Sequence, residues 1–190
     1  YDTASSEIYT SLFVGCVRCV YETGIDAANG GTLTGKTSGF SNVENLTGGA
    51  DDDSFTFEIA GSLSGDIDGQ AGTDTLVGDN DGNAFGIDAA NGGTLAGKTT
   101  GFSNVENLTG GTGDDTFTFT DTFTLTGNID GQAGTDELDL DAYSSNVNLT
   151  ISDIGSVDGL AGSTSGTPNP IGGTFDNIDS LISDGGGGNT

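Results

Sequence analysis

The sequence predicts an all-β protein: a parallel β-solenoid, or β-helix, with about three coils in each 62-residue repeat. The first reason is an internal repeat, because residues 24–49 recur as residues 86–111 with only two substitutions. The second is glycine, which makes up 35 of the 190 residues and disfavours helices along the whole chain. The third is the alternation of Thr and Phe over residues 116–120, which is typical of a strand with one buried face.

Glycine-containing turns divide each repeat into coils. Gly48, Gly69 and Gly92 each begin such a turn, at intervals of 21 and 23 residues. Coils of about 20 residues, each with two or three short strands, would stack with their strands about 4.8 Å apart. The apolar residues that we expect in the interior recur at equivalent positions: Phe40, Val43, Leu46, Phe55, Phe57, Ile67 and Leu76, then Phe102, Val105, Leu108, Phe117, Phe119, Ile129 and Leu138.

The repeat divides the chain into four segments. Residues 1–23 do not match the repeat, and we expect them to cap the first coil or to contact a neighbouring chain. Residues 24–85 and 86–147 are the first and second repeats. Residues 148–190 are a degenerate, truncated third repeat, in which FDNIDSL replaces FSNVENL and an insertion carries the loop signature TPNP.

The chain is strongly acidic, with 29 Asp and Glu against three basic residues and a formal net charge of −26. Because so few cations cannot neutralise phosphate groups, neither nucleic acid nor an anionic membrane surface is an expected partner. No apolar run is long enough to span a bilayer, so membrane insertion is not expected. Divalent cations are the partners that this charge favours.

Cys16 and Cys19 form a C-x-x-C motif in a segment rich in β-branched and aromatic residues. A zinc site needs four ligands, and the chain has no histidine and no other cysteine. The preferred interpretation is a disulfide, either within the pair or to a neighbouring chain, which would make these residues assembly contacts. Thiol redox chemistry and a metal site between subunits are the alternatives.

Residues 110–118 read GGTGDDTFT and match, at every position, G-G-x-G-x-D-x-U-x, the calcium-binding nonapeptide of RTX proteins. The chain resembles that family. It resembles more closely the giant bacterial extracellular surface proteins built from β-strand repeats with such turns, over about residues 24–139. The resemblance implies calcium as a cofactor. The candidate ligands that it implies are Asp53, Asp74, Asp114, Asp115 and Asp136.

The turns depart from the RTX pattern in two ways. Asp51 replaces a glycine in the first turn, and Gln70 and Gln132 replace a glycine in the turns that follow. The motifs also lie 21 residues apart, whereas RTX nonapeptides run in tandem. The alternative interpretation is that Asp and Gly are good turn formers and that these carboxylates form a solvated surface.

A structural function is expected for a repetitive chain of this kind. Catalysis is not expected, because the chain has no histidine and its carboxylates recur with their turns. The leading hypothesis is an extracellular or cell-surface protein that stacks head to tail with copies of itself into a bacterial filament, stalk or sheath. One alternative is a calcium-dependent adhesin or RTX-type secreted module. A minor alternative is an ice-binding solenoid with outward threonine ladders.

Overall fold

The computed structural model describes residues 22–33 and 37–183, and these residues form strands and turns without a helix. This confirms the all-β class, and the described residues accordingly include no helix able to cross a membrane. Cys16 and Cys19 lie outside the described residues. The strands are β1 Glu22–Ala27, β2 Gly30–Leu33, β3 Thr37–Ser41, β4 Leu46–Thr47, β5 Ser54–Phe57, β6 Asp66–Asp68, β7 Thr75–Val77, β8 Ala84–Ala89, β9 Gly92–Leu95, β10 Thr99–Ser103, β11 Asn107–Gly111, β12 Thr116–Phe119, β13 Ile129–Gln132, β14 Glu137–Asp139, β15 Val147–Ile154, β16 Leu160–Gly166, β17 Thr174–Ile178 and β18 Ser180–Ile182.

Two open sheets of mixed strand direction make up the fold. The larger sheet has the order β15-β16-β17-β13-β11-β7-β5-β1-β2-β3, and the smaller sheet has the order β18-β14-β12-β8-β9-β10-β6-β4. Between β3 and β8 the chain changes sheet after every strand, and it does so again between β10 and β15. Each time the chain returns to a sheet, its new strand pairs in parallel with a strand already in that sheet, as β7 does with β5 and β14 with β12. Turns of successive passes therefore lie over one another.

Three antiparallel meanders interrupt the parallel ladders. They are β1–β3 and β15–β17 in the larger sheet and β8–β10 in the smaller one. We expected parallel strands alone, and the meanders correct this. In the second repeat Ala90 and Asn91, the latter at φ 48°, form the hairpin turn between β8 and β9, where Ala89 pairs with Gly92. Glycine is required where the hairpin strands meet, because a Cβ on Gly93 would lie 1.9 Å from the Gly86 carbonyl oxygen.

The core lies between the two sheets and consists of the inward side chains of the ladders. Of the 14 predicted interior residues, 13 are buried, and Val43 is partly buried against them. Strand β12 shows the predicted alternation, since Phe117 and Phe119 are buried while the threonines between them are partly exposed. Period-two alternation therefore identified the buried face correctly.

Equivalent strands of the two repeats lie in opposite sheets. Each repeat contributes one meander and four further strands, so it occupies five successive sheet positions and the next repeat begins in the other sheet. About three whole coils per repeat would instead have returned equivalent strands to the same sheet. Phe117 and its counterpart Phe55 therefore lie in different sheets and do not stack in register. Phe117 stacks on Phe85, with ring centroids 4.9 Å apart and an interplanar angle of 8°.

Candidate metal centre

Four turns share a glycine that is followed five residues later by a buried aspartate. The pairs are Gly48 with Asp53, Gly69 with Asp74, Gly110 with Asp115, and Gly131 with Asp136. In each turn the carboxylate folds back over the glycine. A Cβ on Gly110 would lie 2.1 Å from Asp115 Oδ2, and one on Gly131 would lie 2.4 Å from Asp136 Oδ2. Glycine is therefore needed five residues before each aspartate, because the carboxylate packs against the position that a Cβ would occupy.

Backbone amides connect the carboxylates of successive turns. The Asp53 N–H donates to Asp74 Oδ1 at 2.7 Å, and the Asp115 N–H donates to Asp136 Oδ1 at 2.8 Å. The remaining predicted ligand, Asp114, accepts a hydrogen bond from the Thr135 N–H through its Oδ1 at 2.8 Å. Hydrogen bonds between a side chain of one turn and the backbone of another therefore connect neighbouring turns of the fold.

In the turns that resemble the RTX nonapeptide most closely, the second carboxylate oxygen is also occupied. The Gly111 N–H donates to Asp115 Oδ2 at 2.8 Å, and the backbone and side-chain N–H groups of Asn83 donate to Asp115 Oδ1 at 2.6 and 2.8 Å. Asp53 Oδ2 accepts the Gly49 N–H in the same way at 2.6 Å. Burial raises the pKa of Asp115, although the hydrogen bonds from Asn83 and Gly111 oppose that rise.

The glutamine-containing turns leave one carboxylate oxygen without a partner. Gln70 adopts a left-handed φ of 74°, and its N–H donates to Asp68 Oδ1 at 3.1 Å instead of to the turn aspartate. Asp74 Oδ2 is consequently buried without a hydrogen-bond partner. It converges with the Asn104 carbonyl oxygen, since a Cβ on Gly69 would lie 2.4 Å from the first and 2.0 Å from the second. Protonation of Asp74 Oδ2, or a cation bound beside it, would compensate this buried oxygen.

Burial raises the pKa of Asp74 to about 6. The backbone hydrogen bond from Asp53 opposes the rise, whereas the carboxylates of Asp53, Glu106 and Asp52 add to it. A group whose pKa is raised by folding stabilises the fold fully below its unfolded pKa of 3.8, and this contribution is lost as the pH rises through about 6.

We therefore expect Asp74→Asn to remove part of the pH dependence of stability. Asparagine does not ionise, and its Nδ2 can donate to the Asn104 carbonyl oxygen, as Asn83 Nδ2 donates to the Asp79 carbonyl oxygen at 2.9 Å. In chelator, the melting temperature of the variant should exceed that of the wild type by a margin that grows between about pH 4 and about pH 7. The control is Asp88→Asn, which removes the same charge from an exposed position. Equal effects of the two variants would assign the result to net charge.

The second glutamine turn has the same geometry and a more acidic environment. Gln132 has a φ of 72°, and Asp136 Oδ2 is buried without a partner. Burial raises the pKa of Asp136 to about 7, with further contributions from Asp115, Asp179 and Asp158. One carboxylate oxygen of each of Asp136, Asp158 and Asp179 lies within 4.8 Å of the others, so this group could hold a metal ion.

The sequence identified one of these three residues. Among the described residues, Asp53, Asp74, Asp114 and Asp115 are not part of such an acidic group, whereas Asp136 is. Asp179 carried a signal that we did not use: it occupies, in FDNIDSL, the place that glutamate has in FSNVENL. Asp158 carried none, because it lies in the third hairpin, where the repeat has decayed.

Comparison of the chain with protein-family models, with curated proteins and with solved structures gave no match in any of the three.

Proposed function

We propose that this protein is a structural module: an extracellular β-solenoid, with parallel ladders between its antiparallel meanders, that stacks with copies of itself into a filament, stalk or sheath at a bacterial surface. The observation that supports this best is the continuity of the parallel ladders. Leu46 pairs with Ile67 and Ile67 pairs with Phe102, so that each pass is a template for the next. A ladder of this kind has no intrinsic end, and its outer strands can pair with another chain. The extracellular location rests on the resemblance of the turns to those of bacterial surface proteins.

The outer strand β15 is suited to pairing between chains. It has eight residues and pairs with β16, and the described part of the chain places no strand on its other side. Ile151 and Ile154 are 46% and 77% exposed, which is unusual for isoleucines on an outer strand. We assign a second copy of the chain as the partner, because the same sheet ends in another outer strand, β3, at its opposite edge.

The proposal predicts self-association that a single charge on β15 abolishes. The wild type should form oligomers or filaments that grow with protein concentration, as seen by analytical ultracentrifugation and electron microscopy. Ile154→Lys should be monomeric, because a lysine on an outer strand opposes edge-to-edge pairing. The matched control is Ile59→Lys, which places the same charge at a residue 57% exposed outside any strand. A wild type that is monomeric at every concentration would refute the proposal.

A calcium-dependent secreted or adhesive module is the second candidate, favoured by the acidic group around Asp136. Carboxylate oxygens are the ligands that calcium prefers. A module of this class should require calcium to fold, because self-repulsion at a net charge of −26 opposes compaction until cations bind. Circular dichroism in chelator separates the two candidates: the calcium-dependent module is unfolded there, whereas the purely structural module keeps its strands.

A further inference from the structure

Three carboxylates from separate turns converge where the second repeat meets the third. Asp136 ends the turn between β13 and β14, Asp158 lies at the tip of the β15–β16 hairpin, and Asp179 separates β17 from β18. We propose that a divalent cation of the size of calcium binds between their oxygens and clamps the hairpin to the rest of the stack. This clamp deepens, and rests on, the calcium dependence proposed above, but it does not depend on filament formation.

Two buried oxygens at this place have no hydrogen-bond partner. Asp136 is fully buried, and its Oδ1 already accepts the Asp115 N–H, whereas its Oδ2 accepts nothing. Asp158 Oδ1 is also buried without a partner. Leaving anionic oxygens buried and uncompensated is costly, and a cation bound by both of them removes that cost.

The first junction, between the first and second repeats, has an amide donor that the second junction, between the second and third repeats, lacks. At the first junction the carboxylate of Glu106 accepts hydrogen bonds from the Asp74 N–H at 2.8 Å and from Asn91 Nδ2, at the tip of the β8–β9 hairpin, at 2.9 Å. At the second junction Asp179 takes the place of Glu106 and accepts the Asp136 N–H at 3.0 Å. The hairpin tip here brings Asp158, a carboxylate, where the first junction has an amide donor. Two carboxylates that meet without a donor call for a positive charge between them.

Hydrogen bonds fix the position of the β15–β16 hairpin tip, and with it the position of Asp158. Asn177 Oδ1 accepts the N–H groups of Val157 and Asp158 at 2.7 and 3.2 Å, and the Gly134 N–H donates to Asp158 Oδ2 at 3.4 Å. The Asn177 carbonyl oxygen adds a fourth oxygen nearby. A Cβ on Gly131 would lie 2.2 Å from it and 2.4 Å from Asp136 Oδ2.

The spacing of the oxygens suits calcium. The three carboxylate oxygens lie within 4.8 Å of one another. Oxygens bound about 2.4 Å from one calcium ion are at most about 4.8 Å apart, whereas magnesium needs about 2.1 Å and keeps several waters. A protein cation does not take this role in the described part of the chain, where Lys98 is the one basic residue and pairs with Asp79.

The test is calcium titration of the full chain by calorimetry, together with hydrogen exchange in calcium and in chelator. At a calcium concentration of about 100 times Kd, exchange that requires opening of residues 155–159 should slow by up to about a hundredfold. Asp158→Asn should weaken calcium binding at least about tenfold, because it removes one ligand charge. The matched control is Asp153→Asn, on the same hairpin but outside the acidic group, which should change Kd less than about twofold.

Calcium binding that Asp158→Asn leaves unchanged, or that leaves exchange at the hairpin tip unchanged, would overturn the clamp. Repeating both measurements on Ile154→Lys separates the two proposals. If that variant binds calcium and protects the hairpin tip as the wild type does, the clamp holds whether or not filaments form. If the wild type forms filaments without protection of the hairpin tip, the clamp fails and the structural module stands.

Discussion

Replacing Phe117 by alanine is expected to lower the free energy of unfolding by about 3–5 kcal/mol. The ring of Phe117 is fully buried and stacks on Phe85, and Leu138 occupies the paired position on the other side of its strand. The ladders fix both neighbours in register, so they cannot move into the space that the ring leaves. Urea unfolding followed by circular dichroism gives the free energy directly.

Two comparisons make this result specific. Phe123→Ala, at a residue 37% exposed, should cost less than about 1 kcal/mol. In double-mutant cycles, Phe117 and Phe85 should couple by about 0.5–1.5 kcal/mol, as stacked rings do. The effects of replacing Phe117 and Phe55 on the free energy of unfolding should be additive, since the two residues lie in different sheets. Coupling between Phe117 and Phe55 would contradict the alternation of sheets between repeats.

The buried face of each strand could be predicted because it depends on local alternation, as in β12. The sheet in which a strand lies could not. An odd number of sheet positions in each repeat places equivalent strands in opposite sheets, whereas an even number places them in the same sheet. The repeated sequence is identical in the two arrangements, so it does not distinguish them. A signal for the meander was present in Asn91 next to Gly92, residues that are common at hairpin turns, but we interpreted Gly92 as the start of one more coil turn.

The candidate site was predictable where the repeat is intact and not where it has decayed. Asp136 followed from the turn motif, while Asp158 reaches the site through a contact between the third hairpin and Asn177 that no local pattern encodes. Gln70 and Gln132 replace a glycine of the RTX pattern. In the structure Gln132 directs its N–H to Asp130 and thereby leaves Asp136 Oδ2 available for a cation.

Removing the charge of Lys98 should destabilise the fold by about 3–5 kcal/mol. Lys98 Nζ contacts Asp79 Oδ2, and the Asp79 and Lys98 side chains are only 2% and 15% exposed. Nζ also donates to the Ile59 carbonyl oxygen at 3.0 Å, so the lysine joins the turn after β5 to the turn after β7. Lys98→Met keeps the aliphatic stem but leaves the buried carboxylate of Asp79 without its cation. Most of the expected loss of stability comes from this uncompensated buried charge.

The double variant Lys98→Met/Asp79→Asn should recover most of that loss, because neither charge remains. The asparagine keeps Oδ1, which accepts the Asp81 N–H at 2.9 Å in the wild type. Urea unfolding of the four chains in this cycle measures the coupling. Raising the salt concentration to about 1 M should change it little, since buried pairs are screened much less than exposed ones. A cost below about 1 kcal/mol for Lys98→Met, as for an exposed ion pair, would show that water reaches Asp79 and that the lysine does not hold these turns together.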